Sequence, residues 1–497
     1  MSTPLAQVTE ETLANIAKAQ TTGILETTGI YSYDLSGLVT LIPVVTPFRD
    51  IVARTASPDG NPYAVWRAIM NLTSSQPDLS MGFDYAANET VFLEQDFQAR
   101  YKPTGLAGLV TQDSFDLAKG YGDPFAIATF NVLNQVLIGD DRKLMGAQSF
   151  ALKRPAVPTL TQTAVGSIGA VSLYVGVAAR TGSGYYYGSG NSQGTASAVS
   201  TFSTGSTNSV TATVAAVRGA VAYDWFYSAN GSTWYYYTTT TTNTVSITST
   251  ITANNALPSA TQCPDMSTSW LGAANTVPTI STAGDNGSAN ANDYDGFLAS
   301  LCGDYNGTGQ WITPGGGTTN PSVYKSLDGA VLTLSGGSIA EIENYLFLPL
   351  WNQIKASPTA LMVSAAQAQE IANLVLSQPS AVTYLQTDEA GRANVTAGGR
   401  IGSLVNAPAG GVTVPIEVHT SLPPGTIIAR TDRVPFPQAN ISSVLEYRSL
   451  RDTAQFDYGI SRLSGAGGGP RKEFEIRSVG AFVDRAPVAM GVLSNVG

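Results

Sequence analysis

The sequence predicts an α+β fold interrupted by an all-β insertion, and three observations carry that reading. Residues 61–102 hold two long strand-like runs. Residues 123–147 hold one long helix with its start signals in place. At Pro155 the composition breaks: from there to Gln262 the only charged residues are Arg180, Arg218 and Asp224, and Thr, Ser, Gly and Tyr separate short apolar runs.

The elements follow in order. Residues 1–35 read as an arm, since the weak helical pattern at Thr9 to Ala19 gives way to Thr- and Gly-broken sequence. Leu38 to Arg49 is apolar, β-branched and bounded by Pro43 and Pro47, which predicts extended chain entering a domain. Tyr63 to Leu72 and Thr90 to Tyr101 lean toward alternation and read as the strands of a long hairpin. A two-stranded hairpin of this length is marginal alone in water, so it calls for a partner surface. In the helix, Asp123 caps, Pro124 takes the first position, and Phe125, Ile127, Ala128, Val132, Leu133, Val136 and Leu137 form the apolar face, with Gly146 as the stop.

The insertion reads as a small β-sandwich with a buried Trp, Ig-like only in a broad sense because no cysteine pair bridges its sheets. Its strand-like runs are Ala170 to Val177, Ser209 to Val217, Ala220 to Tyr227 and Tyr235 to Ile251, with an Asn230-Gly231 hairpin signal. Beyond it, Asp293 to Cys302 predicts a short helix. Ser338-Ile339-Ala340-Glu341 reads as a capping box opening a helix to about Lys355. Ser364 to Leu376 predicts an Ala/Gln-rich helix, and strands and prolines dominate thereafter, with a loop at 461–470.

Composition and missing motifs exclude several functions. Charged residues are only 12% of the 497, about half the usual share, so the surface is neutral and hydroxyl-rich and suits large packed interfaces. A net charge of −10 argues against nucleic-acid binding by overall attraction. The two cysteines, Cys263 and Cys302, match no zinc spacing and read as buried thiols. No run is long and apolar enough for a membrane helix, and Met1 to Gln20 lacks a signal-peptide core. One histidine, His419, makes neither a histidine metal site nor a supported catalytic triad, and no phosphate loop appears. Asn292 to Gly296 resembles a calcium loop, but Ala291 stands at the first ligand position and the distal Glu is absent, so a solvated helix start is expected. The Tyr185–Tyr187 and Tyr235–Tyr237 clusters read as aromatic packing on the sandwich, with carbohydrate or cell-surface contact as the alternative. No enzyme activity and no cofactor are expected.

The C-terminal region carries a family resemblance. Val412 to Val418, Leu422-Pro423-Pro424-Gly425-Thr426-Ile427-Ile428 and Val434-Pro435-Phe436-Pro437-Gln438-Ala439-Asn440 precede an arginine-rich turn and a closing strand, Phe474 to Phe482. This stretch resembles the C-terminal part of tailed double-stranded-DNA bacteriophage major capsid proteins with the Hong Kong 97-type fold. The resemblance implies an order along the chain: an N-terminal arm at 1–35, entry into the peripheral domain at 36–60, and an extended hairpin loop at 61–102. A peripheral domain with a spine helix follows at 103–154, then the insertion at 155–262, an axial domain at 263–435, and a return to the peripheral domain at 436–497. The implied function is self-assembly into pentamers and hexamers of an icosahedral head around packaged DNA, in the virion, after assembly in the host cytoplasm. Scaffolding and portal proteins are the implied partners, with a decoration protein as a further one, and no membrane.

Arg49, Arg54, Trp66, Glu94, Asp96, Arg100 and Lys102 are the candidate inter-subunit residues, as charges and one aromatic on or beside the hairpin. Covalent cross-linking is not expected, because Lys102, at the hairpin base, is the only lysine of that region. No large fused scaffold is expected, since fold-like sequence begins within about forty residues of Met1. The insertion is expected to be an outward decoration whose deletion spares assembly. Alternative readings are an encapsulin-type nanocompartment shell, which shares the fold, and a β-rich secreted adhesin.

Overall fold

The computed structural model describes residues 43–57, 60–72, 83, 92–117, 123–149, 152, 155–168, 172–182, 185, 195–196, 200–201, 208–228, 235–248, 293–302, 322–335, 338–376, 386–387, 393–394, 401–434, 441–462 and 470–497. The expected arm at 1–35, Cys263, and Pro435 to Asn440 lie outside them, as does the Asn230-Gly231 turn.

The described chain opens with a one-turn helix α1 (Pro47–Ile51), correcting the extended chain expected there. Pro47 sits at the helix start, and the Asp141 carboxylate accepts from the backbone N–H groups of Phe48 and Arg49 at 2.9 and 2.8 Å. Those donors lie in no local sequence signal, because the acceptor is 93 residues away from Phe48. Then come β1 (Ala53–Ala56), the hairpin β2 (Tyr63–Leu72) and β3 (Phe92–Arg100), β4 (Lys102–Thr111), α2 (Gln112–Leu117) and α3 (Pro124–Gly146). Asp123 caps α3 as expected, accepting from Phe125 and Ala126 N–H.

The stretch expected to be an insertion holds β5 (Thr159–Ile168), β6 (Ser172–Arg180), β7 (Thr195–Ala196), β8 (Ser200–Thr201), β9 (Asn208–Thr213), β10 (Ala222–Ser228), β11 (Tyr235–Thr240) and β12 (Thr244–Ile247). One sheet runs β11-β10-β6-β7 with β8 also on β6, and the second runs β12-β9-β5. Their inner faces share one core, with Leu173, Val175 and Val177 from the first sheet meeting Val210, Ala212 and Ile247 from the second around buried Trp225. The predicted single run from Tyr235 to Ile251 is two strands, because residues 241–243 turn between the sheets. Asn243 fixes that turn by donating to Val214 C=O at 2.7 Å. Arg180 and Asp224 pair with each other at 2.5 Å, almost fully buried between β6 and β10.

After the insertion come α4 (Phe297–Cys302), β13 (Val323–Ser326), the small ladder β14 (Leu334–Ser335) with β15 (Ser338–Ile339), and α5. Helix α5 starts at Ala340–Ile342, passes a π-helical turn at Glu343–Phe347 and continues as Leu348–Ile354. The expected capping box does not form: Glu341 instead accepts from Thr333 N–H at 2.7 Å, and Ser338 bonds Glu343. Next are β16 (Ala360–Val363), α6 (Ala365–Leu376), the ladder β17 (Gln386–Thr387) with β18 (Ala393–Asn394), β19 (Ser403–Asn406), β20 (Val412–Val418) and β21 (Ile427–Arg430). Two long strands, β22 (Leu445–Arg462) and β23 (Pro470–Asp484), and a last strand β24 (Gly491–Ser494) complete the chain.

Two sheets organise the body. The first is β1-β22-β23-β4, with β1 parallel to β22 and the other pairs antiparallel. Helix α3 lies across it, with Phe125, Ala128, Val132, Leu133 and Val136 on Phe474 and Ile476. Ile127, expected on that face, is instead 42% exposed. The second sheet is β13-β24-β21-β16-β20-β19, flanked by Ile342, Leu346 and Leu350 of α5 and Ile371 of α6. Strand β24 lies within this second sheet, parallel to β13 and antiparallel to β21. The six-residue crossover from Asp484 to Gly491 carries the chain between the sheets, and buried α4 fills the joint, with Phe297 stacked on Phe48 at 5.1 Å and edge-on to Phe482 at 6.1 Å.

Candidate assembly surfaces

The hairpin is two-faced because strand side chains alternate. In the ladder Ala64 stands opposite Ala99 and Trp66 opposite Phe97. These residues turn inward: Ala64 and Ala99 join Tyr101, Ala481 and Val483 in one small core, Trp66 packs against it, and Trp66 stacks on Phe97 at 6.0 Å. The hairpin base is thereby tied to the end of β23. The opposite face presents Val65, half exposed, beside Arg67 and Asp96, whose side chains are 64% and 59% exposed and paired at 2.7 Å. Hydrogen bonding from Arg67 holds the Asp96 carboxyl below its usual range.

Of the seven candidate residues, Arg49 and Arg54 converge on one carboxylate within this chain. Asp140 of α3 receives Arg49 Nε at 3.0 Å and an Arg54 Nη at 2.5 Å, and the Arg54 guanidinium lies 4.6 Å over the Tyr447 ring. Trp66 serves the hairpin base, and Asp96 faces outward with Arg67. Arg100 stands opposite Tyr63 with its guanidinium 5.9 Å from that ring. Lys102 opens β4 opposite Gly480, inside the first sheet. Glu94 stands opposite Ile69 in the ladder, and its side chain lies outside the described residues.

Sequence reasoning passed over three groups that the fold brings together. Arg67 was legible by counting back from Asp96 across an alternating hairpin. Asp140 and Asp141, near the end of α3, clasp the α1 turn. Asp141, fully buried, also receives the Ser421 hydroxyl. The third group is Arg430, almost fully buried, which donates to Glu417 at 2.7 Å and Asp432 at 2.8 Å. His419 Nε2 lies 3.4 Å from Glu417, and with Arg430 it holds the Glu417 carboxyl down at about 2.

The expected solvated start at Asn292 to Gly296 is corrected: Asp293 is 2% exposed and pairs with Lys143 at 2.7 Å, and Asp295 accepts from Ser149 N–H and Oγ at 3.0 and 2.7 Å. Packing of the 293–296 segment on the end of α3 removes these carboxylates from solvent. Among the described residues no cluster of three or more His, Cys, Asp and Glu is placed to hold a metal ion, and no helix is long and apolar enough to cross a membrane. Cys302 is a buried free thiol, pushed up to about 11 by burial. Tyr237 packs on the sandwich core, edge-on to Tyr227 at 6.2 Å. A cleft of about 340 Å³ lies between β4 and α3, lined by Leu106, Gln135, Val136 and Ile138 among others.

No family model matches the chain, and no curated protein matches it. Solved structures do. The cyanophage A-1(L) capsid asymmetric unit is similar at 10% identity and a TM-score of 0.45, covering 94% of this chain and 97% of that one. The capsid of a native GTA particle, computed with C5 symmetry, is similar at 9% identity and a TM-score of 0.40, covering 97% and 99%. A structure from Mycobacterium phage Adephagia is similar at 8% identity and a TM-score of 0.38, covering 97% and 96%.

Proposed function

We propose that this chain is the shell subunit of a tailed-phage head, self-assembling as pentamers and hexamers of an icosahedral capsid around double-stranded DNA. One observation carries the reading: a long hairpin leaves a two-sheet body with one face packed on the end of β23 and the other exposed. Val65, Arg67 and Asp96 occupy that open face. A two-stranded ribbon gains little stability by itself, so a second surface has to complete it. In a symmetric assembly a neighbouring copy supplies that surface, and every copy repeats the contact. The body fits the same role. A 23-residue helix crosses a four-stranded sheet, and a second sheet is joined to the first through a buried helix.

The role of the candidate residues divides on this reading. Asp96 and Arg100 belong to the hairpin surface presented to a neighbour, and Glu94 is assigned there by position. Arg49, Arg54 and Trp66 set the angle at which the hairpin and the entering chain leave the body, and Lys102 anchors its base. Scaffolding and portal proteins are the partners proposed for assembly, with a decoration protein as an addition on the finished shell. The chemistry is structural, and the site of action is the virion.

Sedimentation velocity of the purified chain over rising concentration tests the proposal. The expected result is a shift from small species to rings or larger particles. A single monomer boundary at every concentration, with and without co-expressed scaffold, contradicts it.

A further inference from the structure

We infer that the inserted β-sandwich is a co-folding brace for the C-terminal strand β24 and the turn after β13, rather than a removable decoration. The inference stands on contacts within one subunit and holds whatever the chain assembles into.

The sandwich meets the body through a set of polar groups in which Asn243 and Asn495 are buried, Ser326 is half-buried and Asp328 is exposed. Asn243, 1% exposed in the turn between β11 and β12, donates to Val214 C=O inside the sandwich and to Asp328 Oδ1 of the body at 2.9 Å. Ser326 donates to that same Asp328 oxygen at 2.9 Å, and Asn495, 2% exposed, donates to Ser326 Oγ at 2.9 Å. Tyr223 of β10 is fully buried, and its hydroxyl accepts from Val217 N–H at 3.0 Å within the sandwich. Asn495 follows β24 directly and holds a left-handed conformation, φ 53°, which an amide side chain with local partners tolerates. Its backbone C=O accepts from Gly329 N–H, so the tail and the 326–329 turn are tied together beside Asp328, which Asn243 of the sandwich holds.

A second anchor lies beside the first. Arg218, in the connection between β9 and β10, donates to Ser322 Oγ at 3.0 Å and reaches the carbonyls of Leu301 and Ser322, while its guanidinium lies 5.0 Å over the Tyr324 ring. Tyr324 in turn shares a 2.8 Å hydrogen bond with Ser494 of β24. Shape matches chemistry. Gly329 and Gly425 both have positive φ, and a side chain at either would press on Thr244 or Thr241 of the sandwich turn at 3.2 Å. Val221 of the insertion belongs to the same core as Leu301, Cys302 and Val492.

Removing the sandwich would therefore open Cys302, Leu301 and Asn495 to solvent and leave buried donors and acceptors without partners, a large destabilisation. A module attached by a flexible stalk would share no core and no polar chain with its host.

Hydrogen exchange on the full chain, read by mass spectrometry under rising denaturant, tests this in two arms. In the unaltered protein, peptides from 208–228 and 235–248 should lose protection together with those from 322–328 and 491–497. A sandwich that opens while 491–497 keep their protection overturns the inference. In the double variant Arg218→Ala/Asn243→Ala, exchange in 491–497 should accelerate about tenfold or more. Acceleration confined to 208–248 overturns it as well. The first arm needs no variant, so a failure of the double variant to fold leaves the question decidable.

Discussion

Asp484 is a carboxyl displaced well away from its ordinary chemistry. It ends β23, is fully buried, and accepts from Ala486 N–H at 3.1 Å and Ser300 Oγ at 3.2 Å. Burial pushes its carboxyl up to about 7. A raised carboxyl means that the folded chain holds the proton more tightly than the unfolded chain. This contribution is fully present below the unfolded value near 3.8 and is lost as pH climbs through 7. Asp484→Asn keeps the shape and removes the charge, so it should raise the melting midpoint by about 3 °C or more at pH 8 and much less at pH 4. Equal shifts at the two pH values, measured by calorimetry, would count against the burial argument. Glu417 works in the opposite sense. Held at about 2 by His419 and then Arg430, it favours the folded chain above its ordinary value of 4.5, and that support fades as pH falls toward 2. The carboxylate is partly exposed, so its effect is the smaller of the two.

At the scale of elements, the hairpin and α3 were legible because their signals are local. Alternation over Tyr63–Leu72 and Phe92–Arg100 reports a strand whatever lies elsewhere, and Asp123-Pro124 carries a cap and a first-turn proline in two residues. What escaped the sequence depends on distant partners. Helix α1 exists because Asp141, far along the chain, caps it. The 293–296 segment is buried because Lys143 and Ser149 wait for its carboxylates. Glu341 leaves its expected cap because Thr333 offers two donors. The outward hairpin face gives a test at this scale. The Arg67–Asp96 pair is exposed, and exposed pairs contribute little to the stability of a single subunit. The double variant Arg67→Ala/Asp96→Ala should leave the subunit's melting midpoint within about 2 °C while slowing or abolishing higher-order assembly by light scattering. Unchanged assembly would remove the hairpin face from the interface; a large fall in the midpoint would make the pair an internal prop instead.

At the scale of the whole molecule, the three largest cores among the described residues lie side by side. The core around α4 touches both sheets of the body, the sandwich core reaches Leu152 and Ala220 beside it, and the third core lies under α5 and α6. On the proposed reading, the hairpin is the part left to respond to neighbours. The low charge of the chain agrees with that division, because broad neutral surfaces pack against copies of themselves without like-charge repulsion. Negative-stain electron microscopy of the protein expressed alone addresses the central claim most directly. Closed shells, or hexameric rings and curved sheets built from them, are the predicted result. Uniform single subunits at high concentration, unchanged when a scaffolding protein is supplied, would contradict it.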